Sequence, residues 1–574
     1  MLDPRPLRLT WTSGITVACV REGGDPVPGG IGSYVLARRD DASLGLVLED
    51  RNWSWSEVVA ESLARAALLD SIRGPGPFHV GVLLENVPEY VFLLLGSALC
   101  GATVVGINPT RRGDELAADV RHTDCQVVVT DPAGLGLLEG LDVGAASAGL
   151  LDCESASYTD LVEDHAASGP PASVPDASSL YLLIFTAGST GAPKAVRMSQ
   201  GRAARTAAES ARAFHPDDVL YCAMPLFHGN ALVANLFPAL ISGASVVLRR
   251  RFSASSFVSD IRRHGCTYFN YVGRALSYIV ALPETADERD NRLKWALGSE
   301  ASPQNIAEFT RRFGCPVFEG YGSSENAVVI APGPGTPPGA LGLARSGTDV
   351  AIVDPLTGEE CPVALLDGDG RLLNPEEAIG EIVGRNSLER FEGYYNNPEA
   401  EVARSRDGWY WTGDLGYRDA ESFIYFAGRS ADWLRVDGEN FSAGRVESIL
   451  NRFVLTSGAA AFGVPDPVSG DQVMAVLELH DPDAFDPVGF AQFLEAQPDL
   501  GTKWAPRFVR TLRSLPVTGA GKVDKAPLRR EAWLDGKVWW RPGKELIYEV
   551  FAAADEQSLR AAFAVAGRER FFPG

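Results

Sequence analysis

From about residue 80 onward, short apolar β-rich runs alternate with helix-length amphipathic segments, and this alternation limits the fold more than any other feature. VGVLLEN (80–86) reads as a strand, PEYVFLLLGSALCG (88–101) as a helix and ATVVGIN (102–108) as a strand again. DELAADVRHT (114–123) is helical and CQVVVTD (125–131) extended; SVVLRR, SASSFVSDIRRHG and CTYFNYVG (245–273) repeat the pattern, as do LKWALGS, SPQNIAEFTRRFG and CPVFEGYG (293–322). Strands separated by helices imply parallel sheets with helices on their faces. DHAASGPPASVPDASS (164–179) and APGPGTPPGA (331–340) read as loops, and shorter strands and turns follow the second (DVAIVDPLTGEE, GEIVGR, FIYFAGR). From about residue 430, VESILNRF, VMAVLELH, FAQFLEAQ and FVRTLRSLP give helix, strand, helix and strand. The expected class is α/β. A large N-terminal domain (1–430) of stacked, mostly parallel sheets with flanking helices carries a β-rich subdomain, and a small α+β C-terminal domain covers 431–574.

A chain of 574 residues has room for two or more domains and a large core. Its net charge of −22 argues against a general nucleic-acid or anionic-membrane surface. It leaves room for an anionic small ligand, because a local nest of backbone N–H groups binds phosphate inside an acidic protein. The eight cysteines (19, 100, 125, 153, 222, 266, 315 and 361) stand singly, with no C-x-x-C and no zinc-ligand spacing. They read as reduced thiols packed as small apolar groups. The N-terminus, MLDPRPLRLTW, lacks the apolar core of a signal peptide, and VFLLLGSALCGATVVG (91–106) is short for a membrane span and broken by glycines. The expected location is cytoplasmic, with no membrane span and no nucleic-acid partner.

IFTAGSTGAPKAV (184–196) is the stretch with the clearest chemistry. Backbone N–H groups near Gly188 and Gly191, with the hydroxyls of Thr186, Ser189 and Thr190, can surround phosphate oxygens, and Lys194 adds positive charge. The G-x-x-x-x-G-K-[ST] pattern is absent, and the AVRM that follows Lys194 reads as extended before Ser199 starts a helix. Taken alone, the stretch also fits a flexible Ser/Gly loop.

Six further segments stand downstream in order: PLFHGNAL (225–232), EGYGSSENAV (319–328), GYYNNPEA (393–400), WYWTGDLGY (409–417), GRSADWLRVDGENFSAGRVE (428–447) and PVTGAGKVDK (516–525). Together with the first, they resemble the signature motifs of the adenylate-forming superfamily of acyl-CoA synthetases, luciferases and peptide-synthetase adenylation domains. CTYFNYVGRALSYI and DWLRVDGENFS resemble most the fatty-acid-transport-protein type of acyl-CoA synthetase. The resemblance implies two half-reactions. A carboxylate attacks the α-phosphate of ATP to give acyl-AMP and pyrophosphate; a thiol, usually of CoA, then displaces AMP. The small C-terminal domain is mobile and rotates between the steps.

A carboxylate and a triphosphate repel each other, so such a site needs positive charge and metal. By the resemblance, Glu325 is the Mg²⁺ ligand, Ser324 donates to phosphate and Lys522 is the mobile lysine bridging carboxylate and α-phosphate. Asp414 accepts from both ribose hydroxyls, as a two-oxygen acceptor suits a diol, and Arg429 also contacts the nucleotide. Gly298, Ser299 and Glu300 resemble the adenine-side segment, with Tyr321 stacking nearby. His228, Val272, Gly273, Gly298 and Gly322 resemble the acyl-pocket wall, His228 as a gate. Trp295 is either core or pocket. Gly438, Glu439 and Asn440 belong to the loop of the thiol step, where Gly438 lets backbone approach the pantetheine arm closely. Lys525, Arg529 and Arg530 read as solvated, and the tail 535–574 has no assignable role.

Three positions depart from the pattern: Ala187 in a usual Thr-Ser-Gly, Ala431 in a hinge slot usually Asp, and Arg445-Val446-Glu447 for a usual Glu-Ile-Glu. Ala187 removes a hydroxyl facing the triphosphate. A hydrogen bond to a charged group contributes about 1.5–3 kcal/mol, which slows adenylation by about 10- to 150-fold if the bond forms mainly in its transition state. The leading expectation is an acyl-CoA ligase for a bulky or long hydrophobic carboxylic acid, using ATP (or acyl-AMP), Mg²⁺ and CoA as a monomer or homodimer. Other readings stay open at this point: an enzyme that only converts preformed acyl-AMP to acyl-CoA, an acyl-AMP ligase loading a carrier protein in trans, a non-catalytic nucleotide or acyl-binding module, and a luciferase-type monooxygenase.

Overall fold

Two seven-stranded sheets share one helical layer and form the N-terminal part of the computed structural model. The structure describes residues 29–574 apart from 187–193, 273–274, 300, 302, 334, 346, 369, 371, 430–432, 437–438, 468–470, 498–499, 502, 519–521, 567 and 574. In the first sheet, strands Val317–Glu319, Trp295–Gly298, Tyr268–Asn270, Val219–Cys222, Ser245–Leu248 and Leu44–Leu48 lie parallel, and Arg51–Ser54 closes the edge antiparallel. In the second, Leu180–Thr186, Thr103–Gly106, His79–Leu83, Cys125–Thr130 and Leu150–Asp152 lie parallel. Lys194–Ser199 and Tyr394–Tyr395 continue that sheet antiparallel beyond Leu180–Thr186.

The helices between the sheets follow from their sequence. Trp55–Ser71 starts at a capping box, with Ser54 and Glu57 satisfying each other's backbone N–H. Pro88–Cys100 opens on proline and ends at Gly101 in the left-handed region (φ 77°). Its Tyr90–Leu95 run is buried on every side, which explains the apolar stretch: the helix is sandwiched within the core. Among the described residues, no helix is long and apolar enough to cross a membrane.

The β-rich part is an antiparallel sheet of Val350–Val353, Gly380–Gly384, Trp409–Arg418, Ser405–Arg406 and Ile424–Arg429. The hairpin Trp433–Val436/Glu439–Ser442 and helix Ala443–Leu450 lead into a last sheet. There Thr456–Pro465, Asp471–Leu479, Phe508–Leu512, Val538–Trp540 and Glu549–Val550 pair in order. Residues 535–574 thus have a structural role that the sequence did not reveal. They add two strands to this sheet, and helix Ala553–Val565 buries Phe563 against its Phe508, Trp533 and Trp540 side. Trp295 is core: it stacks on Phe214 at 5.5 Å and packs against Tyr268 at 4.4 Å between ring centroids.

Candidate active site

Thr186 ends one strand and pairs across with Lys194, which starts the next, so the two strands bracket the glycine-rich loop. Gly188, Ser189, Thr190 and Gly191, with Ala187, lie outside the described residues. Beyond Lys194 the chain stays extended to Ser199, whose side chain accepts from the Arg202 N–H (3.1 Å) and caps helix Gln200–Ala211. A whole strand therefore separates this loop from its helix, as the lack of a Walker pattern implies.

Glu325 follows strand Val317–Glu319 on a tight turn. Asn326 takes a left-handed conformation (φ 51°), its N–H donates to Ser323 O (2.9 Å) and its amide to Thr206 (3.1 Å). The turn leaves the Glu325 carboxylate 5% exposed. The Tyr394 hydroxyl donates to its Oε1 at 2.7 Å. Tyr394 is held there because its strand pairs with Lys194–Ser199, with Tyr394 opposite Val196. The Lys194 ammonium lies 5.9 Å from the Tyr394 ring centre. Burial, then the Arg404 charge, lower the Lys194 pKa, while Glu325 opposes them. The buried Arg202 donates to Ser324 O at 2.5 Å, and its charge also reaches Glu325. Glu325 is thus a nearly buried carboxylate facing three cations and a phenol.

Asp414 marks the other end. Thr412 donates to Ile382 O (2.7 Å) and accepts from the Asp414 N–H (3.1 Å), while the Gly413 N–H donates to Glu381 (2.7 Å). Gly413 sits at φ 74°, a region that favours glycine. The Tyr321 hydroxyl donates to Asp414 Oδ2 at 2.7 Å, and burial with that carboxylate beside it pushes the phenol pKa well up. Arg429 stands opposite Asp414 on the neighbouring strand; its side chain lies outside the described residues. Tyr321 and Glu325 are four residues apart on one segment, which spans at most about 14 Å. The segment is tied at one end to Asp414 and at the other, through Glu325, to Tyr394, so one short stretch of chain links the two carboxylates.

Gly298 and Ser299 lie at the end of strand Trp295–Gly298. A Cβ on Gly298 would run into the Tyr271 ring, and Tyr271 donates to Glu319 (2.9 Å), which also accepts from the Ala301 N–H (2.8 Å). Gly322 has open space where a Cβ would stand. Val272 is buried, and Gly273 and Glu300 lie outside the described residues. His228 precedes helix Gly229–Ala231 and the single π-turn Leu232–Leu236, whose partly exposed face carries Asn230, Val233 and Ala234. Burial, and after it the charge of Lys522, lower the His228 imidazole to about 4. Lys522, from the C-terminal part of the chain, therefore stands near His228.

Lys522 closes a turn in which Thr518 N–H donates to Lys522 O (2.7 Å) and Lys522 N–H to the Thr518 hydroxyl (3.3 Å). Lys525 corrects the expectation of a solvated side chain: it pairs with Glu447 at 2.8 Å and is only 14% exposed. Glu447, the last residue of the divergent Arg445-Val446-Glu447, also accepts from Ala461 N–H (2.7 Å). Gly438 and the side chains of Glu439 and Asn440 lie outside the described residues. Among the described residues, no group of three or more His, Cys, Asp or Glu side chains could hold a metal by itself. Sequence reasoning passed over Tyr394, Arg202 and Arg404. Tyr394 was visible inside GYYNNPEA; Arg404 lies beyond that motif with no local signal.

The family of AMP-binding enzymes matches residues 37–395. The steroid-22-oyl-CoA synthetase of Rhodococcus jostii (strain RHA1) is 52% identical over 547 residues, covering 94% of this chain and 98% of the relative. The medium/long-chain-fatty-acid–CoA ligase FadD17 of Mycobacterium tuberculosis (strain ATCC 25618 / H37Rv) is 42% identical over 499 residues, 86% and 95% of the two chains. Among solved structures, the anthranilate CoA ligase AuaEII in complex with anthranoyl-AMP superposes with a TM-score of 0.77 at 22% identity, covering 89% of this chain and 98% of that one. ATP-bound MatB from Rhodopseudomonas palustris gives 0.75 at 24% identity, covering 87% and 98%. The chain belongs to the AMP-binding enzyme family and stands among its acyl-CoA synthetases.

Proposed function

We propose that this AMP-binding enzyme joins a bulky, apolar carboxylic acid of the steroid side-chain class to CoA through its acyl adenylate. The substrate class is supported by the likeness, along nearly the whole chain, to a steroid-22-oyl-CoA synthetase. The observation that carries the chemistry is the single segment 321–325, tied to Asp414 through Tyr321 and to Tyr394 through Glu325. It links a diol acceptor at one end to a cation-flanked carboxylate at the other.

Asp414 accepts from the ribose hydroxyls. Thr186, the loop behind it, Lys194 and Ser324 hold phosphate oxygens. Glu325 fits a divalent cation, because Mg²⁺ binds through one or two carboxylates plus substrate phosphates rather than an all-protein cage; when bound, that ion neutralises charge on the triphosphate. Lys522 steadies the substrate carboxylate against the α-phosphate, and the carboxylate oxygen forms the new P–O bond as pyrophosphate leaves with the old one. His228, neutral at physiological pH, forms an apolar wall that holds no competing charge beside the acyl group. In the second step the CoA sulfur attacks the acyl carbon, its proton is lost to solvent, and the C–O bond to AMP breaks. The part beyond residue 430, with Gly438, Glu439 and Asn440, turns in to line the thiol's approach. The enzyme acts in the cytoplasm, where ATP and CoA are abundant.

The loop residue Ala187 favours a second reading, an enzyme that mainly converts supplied acyl-AMP. The experiment is a panel of steroid carboxylic acids, fatty acids and their preformed adenylates, with CoA thioester and pyrophosphate quantified together. The proposal expects a steroid acid to give the highest kcat/KM, with pyrophosphate and thioester in equal amounts. Higher kcat/KM for long-chain fatty acids contradicts the substrate class; thioester from adenylates alone supports the second reading.

A further inference from the structure

We propose that Arg404 is a positioning residue for both ends of the nucleotide site, holding Glu325 through Tyr394 and Asp414 through the Trp411–Thr412 carbonyls. The proposal rests on the roles given above to Glu325 and Asp414.

Helix Pro398–Arg404 starts at Asn397, whose side chain accepts from Ala400 N–H (3.1 Å), and ends at Arg404. A tight hairpin follows at once: Asp407 (φ 53°) and Gly408 (φ 77°) fold strand Trp409–Arg418 back against Ser405–Arg406. The fold-back brings the Trp411–Gly413 backbone to the Arg404 guanidinium, whose Nη1 donates to Trp411 O (3.3 Å) and to Thr412 O. A Cβ on Gly413 would stand 2.6 Å from that same Nη1, so a side chain here would push the guanidinium away from these carbonyls. With Glu381 gripping the Gly413 N–H at 2.7 Å from the neighbouring strand, the peptide before Asp414 is clamped.

The other arm runs through Tyr394. The helix grips this residue through Glu401, which accepts from the Tyr394 N–H (2.7 Å), and the Arg404 charge at the helix end acts on both the Tyr394 phenol and Glu325. The phenol in turn donates to Glu325 Oε1, which restrains the orientation of the carboxylate. Lys194 and Arg202 already supply positive charge near Glu325, so charge alone does not account for a third cation. What Arg404 adds is a rigid, planar guanidinium whose Nη1 bonds the Trp411 and Thr412 carbonyls while its charge acts on Tyr394, where a lysine would bring a flexible point charge.

Two binding measurements separate the arms. AMP carries the ribose but neither the β- nor the γ-phosphate, so its dissociation constant, measured by calorimetry, reads the Asp414 arm. Mn²⁺ bound with a non-hydrolysable ATP analogue, followed by electron paramagnetic resonance, reads the Glu325 arm. Arg404→Met is expected to weaken AMP about tenfold and raise the half-saturating Mn²⁺ concentration about tenfold, the scale of one hydrogen bond to a charged group. Tyr394→Phe is expected to raise only the Mn²⁺ value. Folded Arg404→Met with both constants within twofold of wild type overturns the proposal. If that variant does not fold, Tyr394→Phe, which lacks one oxygen, decides: an unchanged Mn²⁺ value overturns it. Asp414→Ala and Glu325→Gln keep the two readings apart. If they leave AMP and Mn²⁺ binding intact, the roles of Asp414 and Glu325 fail; if they abolish binding while Arg404→Met is inert, only the role of Arg404 fails.

Discussion

The Lys522 ammonium lies close enough to His228 to add to the burial that keeps its imidazole unprotonated down to about pH 4. A residue from the last fifth of the chain thus bears on one that follows the first half of the core. The arrangement suits the role proposed above for Lys522 in the adenylating step.

This pairing gives a pH signature of known sign. His228 falls from its ordinary 6.5 to about 4 in the native protein. Between those values the unfolded chain binds a proton that the folded chain refuses, so stability is full above about pH 6.5 and declines as pH drops toward 4, by at most about 3 kcal/mol. The melting-temperature advantage of wild type over His228→Gln is expected to be flat above pH 7 and to shrink below pH 6. An advantage that grows at low pH would mean a protonated native imidazole.

Asp414 is expected to carry ribose recognition. Asp414→Ala removes acceptors for two hydroxyls and should weaken AMP by about 10- to 100-fold, whereas 2′,3′-dideoxy-AMP should bind both proteins about equally. A preference for AMP over 2′,3′-dideoxy-AMP retained in the variant would place the ribose hydroxyls elsewhere.

Much of the fold was legible because its signals are local. Apolar runs, Ser54 and Ser199 caps, and the Pro88 and Gly101 boundaries depend on neighbours within a few residues. Sheet order is not local: Leu44–Leu48 pairs with Ser245–Leu248 some two hundred residues away, and no feature of either strand names its partner. The same holds in the site. Glu325 and Asp414 stand in recognisable motifs, but what orients them comes from elsewhere: Tyr394 for the first, and Tyr321 and the Arg404-clamped turn for the second. Lys525 was misread because Glu447 lies on a helix 78 residues upstream. The tail gave little signal because Val538–Trp540 acquires its meaning only beside Phe508–Leu512.

Ala187→Ser restores the hydroxyl that the resembling enzymes place toward the triphosphate. Pyrophosphate release in single turnover is expected to rise, by up to about 10- to 150-fold, with thioester formation from supplied acyl-AMP unchanged. An equal gain in both steps would show that the serine acts on the loop as a whole rather than on the leaving pyrophosphate.

The central claim is that a substrate carboxylate becomes bonded to the α-phosphate of ATP before sulfur displaces it, and oxygen labelling tests it most directly. With a steroid acid carrying ¹⁸O in both carboxyl oxygens, plus ATP and CoA, the account predicts one ¹⁸O in the phosphate of product AMP and none in pyrophosphate. Unlabelled AMP, or ADP with the label in inorganic phosphate, would contradict it.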